Sequence, residues 1–423
     1  MGAYDLRYYW GAAQSKTIDT LTGNWQNGPA YDGLSRLYFS VINQVVTRDE
    51  MDMAVTQTLN YYDNEQTANH YAANEPVHVV LVIGESFIRT HASIYNYPLP
   101  TTPNLQNELT NGNLFAFDNV IAPYNYTSLS VKNIMSCNSM SDGERWQEKP
   151  MFAAPFACAG FVNLFWSNQW QPQRGFESSI VGYQLNSVIH HPQICSRIYT
   201  RLNQINFKYD DGLINDFINN YKSTVPDTSS SLAIIHLMGQ HFVAGDRFPD
   251  KNEFKVFSAS NYVNMRPNLS HNQRQDIADY DNAVHFGDHI LGMLFDFYRD
   301  KNAAIVFLSD HGEEIWDFRN HKGRDYNKHK SAEVLHYQHD IPFIIWCSSK
   351  YLANYPELVK QITKSLHNKF MTDNTCQVLF SLAHLDTPLY HAERDLISSK
   401  FTPTKKGRIV CDGYNYDEIT SNK

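Results

Sequence analysis

Five short, almost uninterrupted apolar runs govern what this 423-residue chain can fold into; they lie at residues 77–83, 161–166, 232–237, 303–308 and 341–346. A strand with one face in water alternates polar and apolar residues, whereas a continuous run has to be covered on both faces. Long connections separate the runs, as parallel neighbours require, because a parallel crossover takes a dozen residues or more. The expected fold class is therefore α/β, with a largely parallel sheet sandwiched between helices. The clearest helical period covers residues 273–298, where Ile277, Tyr280, Val284, Gly287, Leu291, Leu294 and Tyr298 recur every three or four positions. A second helix is expected at residues 371–383, on the other side of the sheet. No internal repeat or low-complexity linker divides the chain.

Composition narrows the function classes. A formal net charge of −9, with no Lys/Arg cluster, excludes sequence-independent nucleic-acid binding, which needs a basic face against the phosphates. With 42% apolar residues, 26 Tyr and 24 Phe, the chain has the material for a folded core. No stretch approaches the roughly 18 consecutive apolar residues of a membrane span, and residues 1–10 lack a signal-peptide pattern. Six cysteines show no CxxC pair and no zinc-finger spacing, leaving disulfides and buried thiols equally open.

In open α/β sheets ligands collect at the carboxyl ends of strands, and acid and imidazole groups cluster there in this chain. Glu85 follows the first run, a costly place for a carboxylate unless a cation compensates it, although a helix cap or a solvent-facing side chain would also account for it. Asp310-His311 follows the fourth run and offers oxygen and nitrogen donors of the kind zinc takes. Thr127 precedes a segment that can open a helix, so it reads as an N-cap and as a hydroxyl activated at a helix N-terminus beside a metal, two readings that can hold together. His236 and His241 straddle the end of the third run, and His321, His329, His336 and His339 follow the Asp-His pair. Two or three of these suffice for a site; surface or core histidines account for the remainder.

Together these segments resemble the catalytic domain of bacterial phosphoethanolamine transferases, within the alkaline phosphatase and sulfatase superfamily. The most specific part is Val82-Ile83-Gly84-Glu85-Ser86, then Arg89, then the run from Tyr95 through Pro98, Thr101, Thr102 and Pro103 to Leu105. The resemblance implies a sulfatase-like catalytic domain at residues 76–423, with residues 1–75 as a connecting segment packed on it. It implies Thr127 as the nucleophile and Glu85, Thr127, Asp310 and His311 around one zinc ion, with a second zinc left open. His241 would contact the phosphoryl group or a second metal. The family's further histidine, usually preceded by glycine, has no direct counterpart, because Gly323 is followed by Arg324; His329 is the favoured substitute and His321 the other candidate.

The implied reaction takes phosphoethanolamine from phosphatidylethanolamine onto Thr127 and then onto lipopolysaccharide, at a core sugar or lipid A, or onto another envelope glycan. Such a domain would work at a membrane surface, as the periplasmic part of an inner-membrane protein whose anchor is not in this chain. A sulfatase proper would need a Cys/Ser-x-Pro-x-Arg nucleophile, which the sequence around Thr127 lacks. A glycerol-phosphate transferase with a threonine nucleophile and a non-catalytic lipid-binding relative are the other readings.

Overall fold

The computed structural model describes residues 9–15, 33–71, 73, 75–169, 184–324, 331–411 and 413–421. Numbering the strands of its central sheet in chain order, these are β1 (His78–Gly84), β2 (Leu114–Phe117), β3 (Val162–Ser167), β4 (Arg201–Leu202), β5 (Ser231–His236), β6 (Ala303–Ser309) and β7 (Phe343–Cys347). They lie side by side in the order β2-β7-β6-β1-β5-β3-β4. All five apolar runs are strands of this sheet; β2 and β4 are four and two residues long, too short to register as apolar runs.

The helices that position the site are α1 (Gly33–Asn64), α2 (Thr127–Met135), α3 (Asp210–Thr224), α4 (His271–Tyr298), α5 (Ala332–His339) and α6 (Thr375–Leu382). The two faces of β1 sort by a period of two. Val79, Leu81 and Ile83 join one core with Ile134 of α2 and Val378 and Leu379 of α6. Val80 and Val82 join the other, with Leu213 and Phe217 of α3 and Ile277, Val284 and Leu291 of α4. Each such side chain, fully buried, contributes about 2 kcal/mol relative to exposure, so continuous apolar sequence on β1 is what holds both helical layers in place. The second half of α1 packs on the first core through Ala54, Met51 and Leu59. Buried Glu50 of α1 also lies 3.5 Å from Lys132 of α2.

Strands β1, β3, β4, β5 and β6 run parallel. Strand β7 is antiparallel to both its neighbours, β6 and β2. The chain leaves β6 at its carboxyl end, places the described residues 310–324 and 331–340 there, and re-enters the sheet from the same end, so without a crossover β7 has to run backwards. The helix expected at 371–383 begins later: Phe370–Met371 pairs as a short parallel strand with Val120–Ile121, and a turn at Thr372–Asn374 precedes α6. None of the six cysteines, all described, is in a disulfide. Among the described residues, no helix is long and apolar enough to cross a membrane.

Candidate active site

Register brings the first two acids together. In the parallel pair β1–β6 the last partners are Gly84 and Ser309, so Glu85 and Asp310 leave the sheet side by side, and the Asp310 N–H still donates to Gly84 O at 3.1 Å. Ser86 turns the chain away in the left-handed region, at φ 57°. Its N–H then donates to Asp310 Oδ1 at 3.0 Å and its hydroxyl to Glu85 Oε1 at 2.9 Å. On the other flank, the loop after β5 closes over Glu85: Gln240 N–H donates to Glu85 O at 3.0 Å.

His311 follows immediately. Its Nδ1–H donates to Gly312 O at 2.9 Å, which fixes the tautomer and leaves the Nε2 lone pair facing inward. That nitrogen lies 3.2 Å from Glu85 Oε1 and 3.2 Å from Asp310 Oδ2. All three residues are fully buried. Three acceptors thus converge, and Asp310 Oδ2 receives no hydrogen bond. Burial, then the adjacent Glu85 charge, pushes the Asp310 carboxyl well above the usual carboxylate range. Burial, then Arg324, keeps His311 below the ordinary imidazole value and hence neutral. Two buried carboxylates cannot both ionise cheaply without a compensating cation, so the residues present fit a metal, and they are a group of three that can hold one.

Thr127 completes the cluster from the opposite side. It is the first residue of α2, with Tyr126 in the capping position, and no side chain caps this helix. The N-cap reading of Thr127 therefore fails; its hydroxyl is turned to the acids. Oγ1 lies 3.0 and 3.1 Å from the two Glu85 oxygens and 3.2 Å from His311 Nε2. As a helix N-terminus, this end of α2 presents backbone N–H groups with no partner inside the helix, together with the positive end of its dipole. Thr127 itself is half-buried, so a reactant can reach it.

The other sequence candidates scatter. His241 follows Gln240 at the mouth, partly exposed, with Nδ1 2.9 Å from Phe242 O and close enough for its charge to lower the Glu85 pKa. His236 ends β5 in the sheet, where burial lowers its pKa to about 4 and keeps it neutral. His321 sits between the paired strands Glu314–Ile315 and Lys322–Gly323, and its backbone bonds Arg319 and Trp316. His329 lies outside the described residues. On α5, His339 Nδ1 is 2.9 Å from Ala122 O, and His336 pairs with Asp340 at 3.4 Å.

Three contributors escaped the sequence reading. Ser86 was visible only as Glu85's neighbour. Gln169 donates to Glu85 Oε2 at 3.3 Å and to Leu237 O at 2.8 Å, and nothing in its sequence context signals that. Arg324, noticed only as a departure from a glycine-histidine pattern, brings its Nη1 to 2.5 Å from His311 Nε2.

Comparison with known proteins agrees with this architecture. The sulfatase family model matches residues 77–373. A phosphoethanolamine transferase, EptC, of Escherichia coli O18:K1:H7 is 26% identical over 398 residues, 92% of this chain and 64% of that protein, so the chain spans less than two-thirds of the length of such a relative. The crystal structure of the C-terminal periplasmic domain of E. coli EptC superposes with a TM-score of 0.68 at 26% identity, covering 82% of this chain and 92% of that one. A second structure of the same domain, in complex with zinc, gives a TM-score of 0.66 at 24% identity, covering 84% and 98%. With the family model spanning all the strands of the central sheet and the whole buried cluster, this chain belongs to the sulfatase family.

Proposed function

We propose that this chain is the zinc-dependent catalytic domain of a phosphoethanolamine transferase that passes its group through a phosphorylated threonine. The observation that carries the reading is the half-buried Thr127 hydroxyl at the N-terminus of α2, within 3.2 Å of both Glu85 and His311. Likeness to EptC over 92% of the chain supports the choice of phosphoethanolamine among the groups a sulfatase-like site can handle.

Glu85, Asp310 and His311 would hold the zinc, with Thr127 Oγ1 as the fourth donor, a mixed N/O set that zinc accepts. A bound zinc ion supplies Lewis acidity, lowering the pKa of the hydroxyl and drawing charge from phosphoryl oxygens. The chain's own residues do the rest. The Thr127 hydroxyl proton points at the Glu85 carboxylate, which accepts it as Oγ1 bonds to phosphorus. The phosphorus–oxygen bond to diacylglycerol breaks, and diacylglycerol leaves with a proton. The N-terminal amides of α2 face the oxygens of the transferred group. An acceptor hydroxyl then repeats the displacement, gives up its proton, and returns Thr127 to its neutral form.

The donor in this reading is phosphatidylethanolamine and the acceptor a hydroxyl of lipopolysaccharide or another envelope glycan. In this reading His241 would contact the phosphoryl group. The exposed apolar pair Phe242 and Val243 beside it, 61% and 45% accessible, suits a mouth that meets a lipid surface. The working context is then the periplasmic face of an inner membrane, with the segment before residue 76 connecting this domain to an anchor. The test is zinc content together with intact mass after incubation with phosphatidylethanolamine: one phosphoethanolamine adduct on wild type, and none on Thr127→Ala. A folded, zinc-loaded wild type that acquires no adduct would overturn the assignment.

A further inference from the structure

A cavity of about 420 Å³ opens beside the short ladder that pairs Phe370–Met371 with Val120–Ile121. Neither Thr127 nor any of Glu85, Asp310 and His311 lines it, so it is a place apart from the candidate active site. It is nevertheless reached from the same side of the sheet. Strand β2 runs parallel to β6, since both are antiparallel to β7. Residues 118–126 therefore leave β2 at the carboxyl edge and carry one strand of the ladder on their way to Thr127. The loop at residues 401–408 forms another wall and is tied down. Arg408, 5% exposed, donates to the carbonyls of Asn119 and Phe370 at 2.9 and 3.2 Å and to Asp417 Oδ1 at 2.8 Å. Asn415 Nδ2 donates to Lys406 O at 2.9 Å.

Five cations line this cavity against two acids, Asp142 and Glu393, in a chain whose net charge is −9. Three of the five are spent inside the walls. Arg394 pairs with Asp142 at 2.8 Å and Glu144 at 3.2 Å, while Asp417 is shared by Arg408 and by Lys369 at 3.1 Å. The other two, Lys405 and Lys406, are exposed and form no ion pair among the described residues. Beside the charges stand the hydroxyls of Ser139, Ser141 and Thr404 and the ring of Phe401. A bare anion needs only the cations. Hydroxyls that bond other hydroxyls, and an aromatic face against which a pyranose can lie, suit a sugar that carries the anion. The volume is that of a pocket for a small ligand, which runs from about 300 to 1,000 Å³.

We propose that this cavity binds an anionic sugar of the acceptor glycan, other than the sugar whose hydroxyl receives the group. Lys405 and Lys406 meet its charge, and Phe401 with the neighbouring hydroxyls meets its ring. Calling it the acceptor's sugar rests on the transferase reading, whereas the binding of a charged sugar does not. The enzyme then selects its acceptor by a charge removed from the reacting hydroxyl.

The experiment uses the full chain in chelator, so that zinc holds no phosphate, with glucose 6-phosphate as the probe and affinity read by NMR. Glucose and inorganic phosphate serve as its uncharged and sugarless counterparts. Wild type should bind glucose 6-phosphate about tenfold more tightly than either. Two variants change the cavity differently, at exposed positions that leave the core alone. Lys405→Glu combined with Lys406→Glu reverses its free charge, and Thr402→Trp fills it without altering charge. Each should weaken sugar-phosphate binding about tenfold. With zinc restored and phosphatidylethanolamine as donor, the double variant should raise KM for lipopolysaccharide by a similar factor and spare kcat. Equal binding of phosphate and glucose 6-phosphate overturns the proposal, because the lysines are then only a charged patch. So does wild-type affinity in either variant. A double variant that loses the sugar phosphate but keeps the wild-type KM overturns the assignment to the acceptor. Sugar-phosphate binding lost in both variants, combined with no adduct on wild-type Thr127, keeps the cavity's ligand and discards the transferase reading.

Discussion

Two buried histidines in this protein sit between two carboxylates each, and they are opposites. His91 donates from Nδ1 to Asp281 Oδ1 at 2.6 Å and from Nε2 to Asp317 Oδ1 at 3.2 Å. Every acid oxygen around it is answered: Tyr97 and Tyr262 donate to Asp281 Oδ2 at 2.7 and 2.5 Å, Arg266 donates to Asp317 Oδ1 at 3.0 Å, and Ile315 N–H to Asp317 Oδ2 at 2.9 Å. Burial opposes the imidazolium there, but Asp281 and then Asp317 outweigh it and raise His91 to about 10. Around His311 the same residue types face one another as acceptors, with Asp310 Oδ2 unanswered. A balanced cluster stabilises the fold by itself; an unbalanced one waits for a cation, and for chemistry.

The contrast is broken most decisively at its reactive edge. Thr127→Ala should lower transfer by about ten-thousandfold, the scale of losing a covalent nucleophile, while melting temperature and zinc content stay near wild type. A variant that keeps a tenth of wild-type turnover would remove Thr127 from the reaction path.

The next largest effect separates the two clusters by stability. Asp281→Asn strips a partner from a closed buried network and should cost about 4 kcal/mol, with or without zinc. Asp310→Asn should do the reverse: it relieves repulsion from Glu85, so the zinc-free protein is at least as stable as wild type, and it loses the extra stability that zinc confers on wild type. Urea denaturation of both variants, each with zinc and with chelator, checks the pair. Equal losses for the two variants in chelator would erase the distinction drawn above.

A third test uses pH. The folded pKa of His91 lies above its unfolded value, so its stabilisation is complete below about 6.5 and lost as pH rises through about 10. Between pH 7 and pH 10 wild type should therefore lose about 3 kcal/mol more than His91→Gln does, measured by denaturation at a series of pH values. Parallel curves for the two proteins would show that His91 is neutral in the folded state.

The sequence shows the two clusters unequally. Strands and the helix at His271–Tyr298 were legible because continuity and period are local properties, and so was the meeting of Glu85 with Asp310, which follows from two runs ending at the same edge of one sheet. The direction of β7 was not legible, since an apolar run reads the same in either sense. Nor was α1: Leu37, Val41 and Val45 lie four apart yet are 63%, 51% and 52% exposed, so its apolar stripe is not the one that packs on the core. The His91 network was invisible, because its partners stand 190 and 226 residues away and each alone is an ordinary polar residue. Arg324 showed itself only as a misfit.

The smallest effect tests whether the unbalanced cluster is held in place by its neighbours or merely by register. Gly239 adopts φ 49°, and a Cβ there would lie 2.8 Å from Glu85 N and 3.0 Å from Glu85 O. Both are backbone atoms that cannot swing aside, and the Gly239 N–H is itself fixed to Asp210 Oδ2 at 2.9 Å. Gly239→Ala must therefore push the loop after β5 away from Glu85 and weaken the Gln240 N–H bond to its carbonyl. The strained backbone should cost about 2 kcal/mol of stability. Because Glu85 is a corner of the triad while no atom of the His91 network touches this glycine's missing side chain, the loss should fall on the metal: the interval between zinc-loaded and zinc-free melting temperatures narrows. If the interval keeps its wild-type width, Glu85 is positioned by the β1–β6 register alone and the glycine serves only the turn.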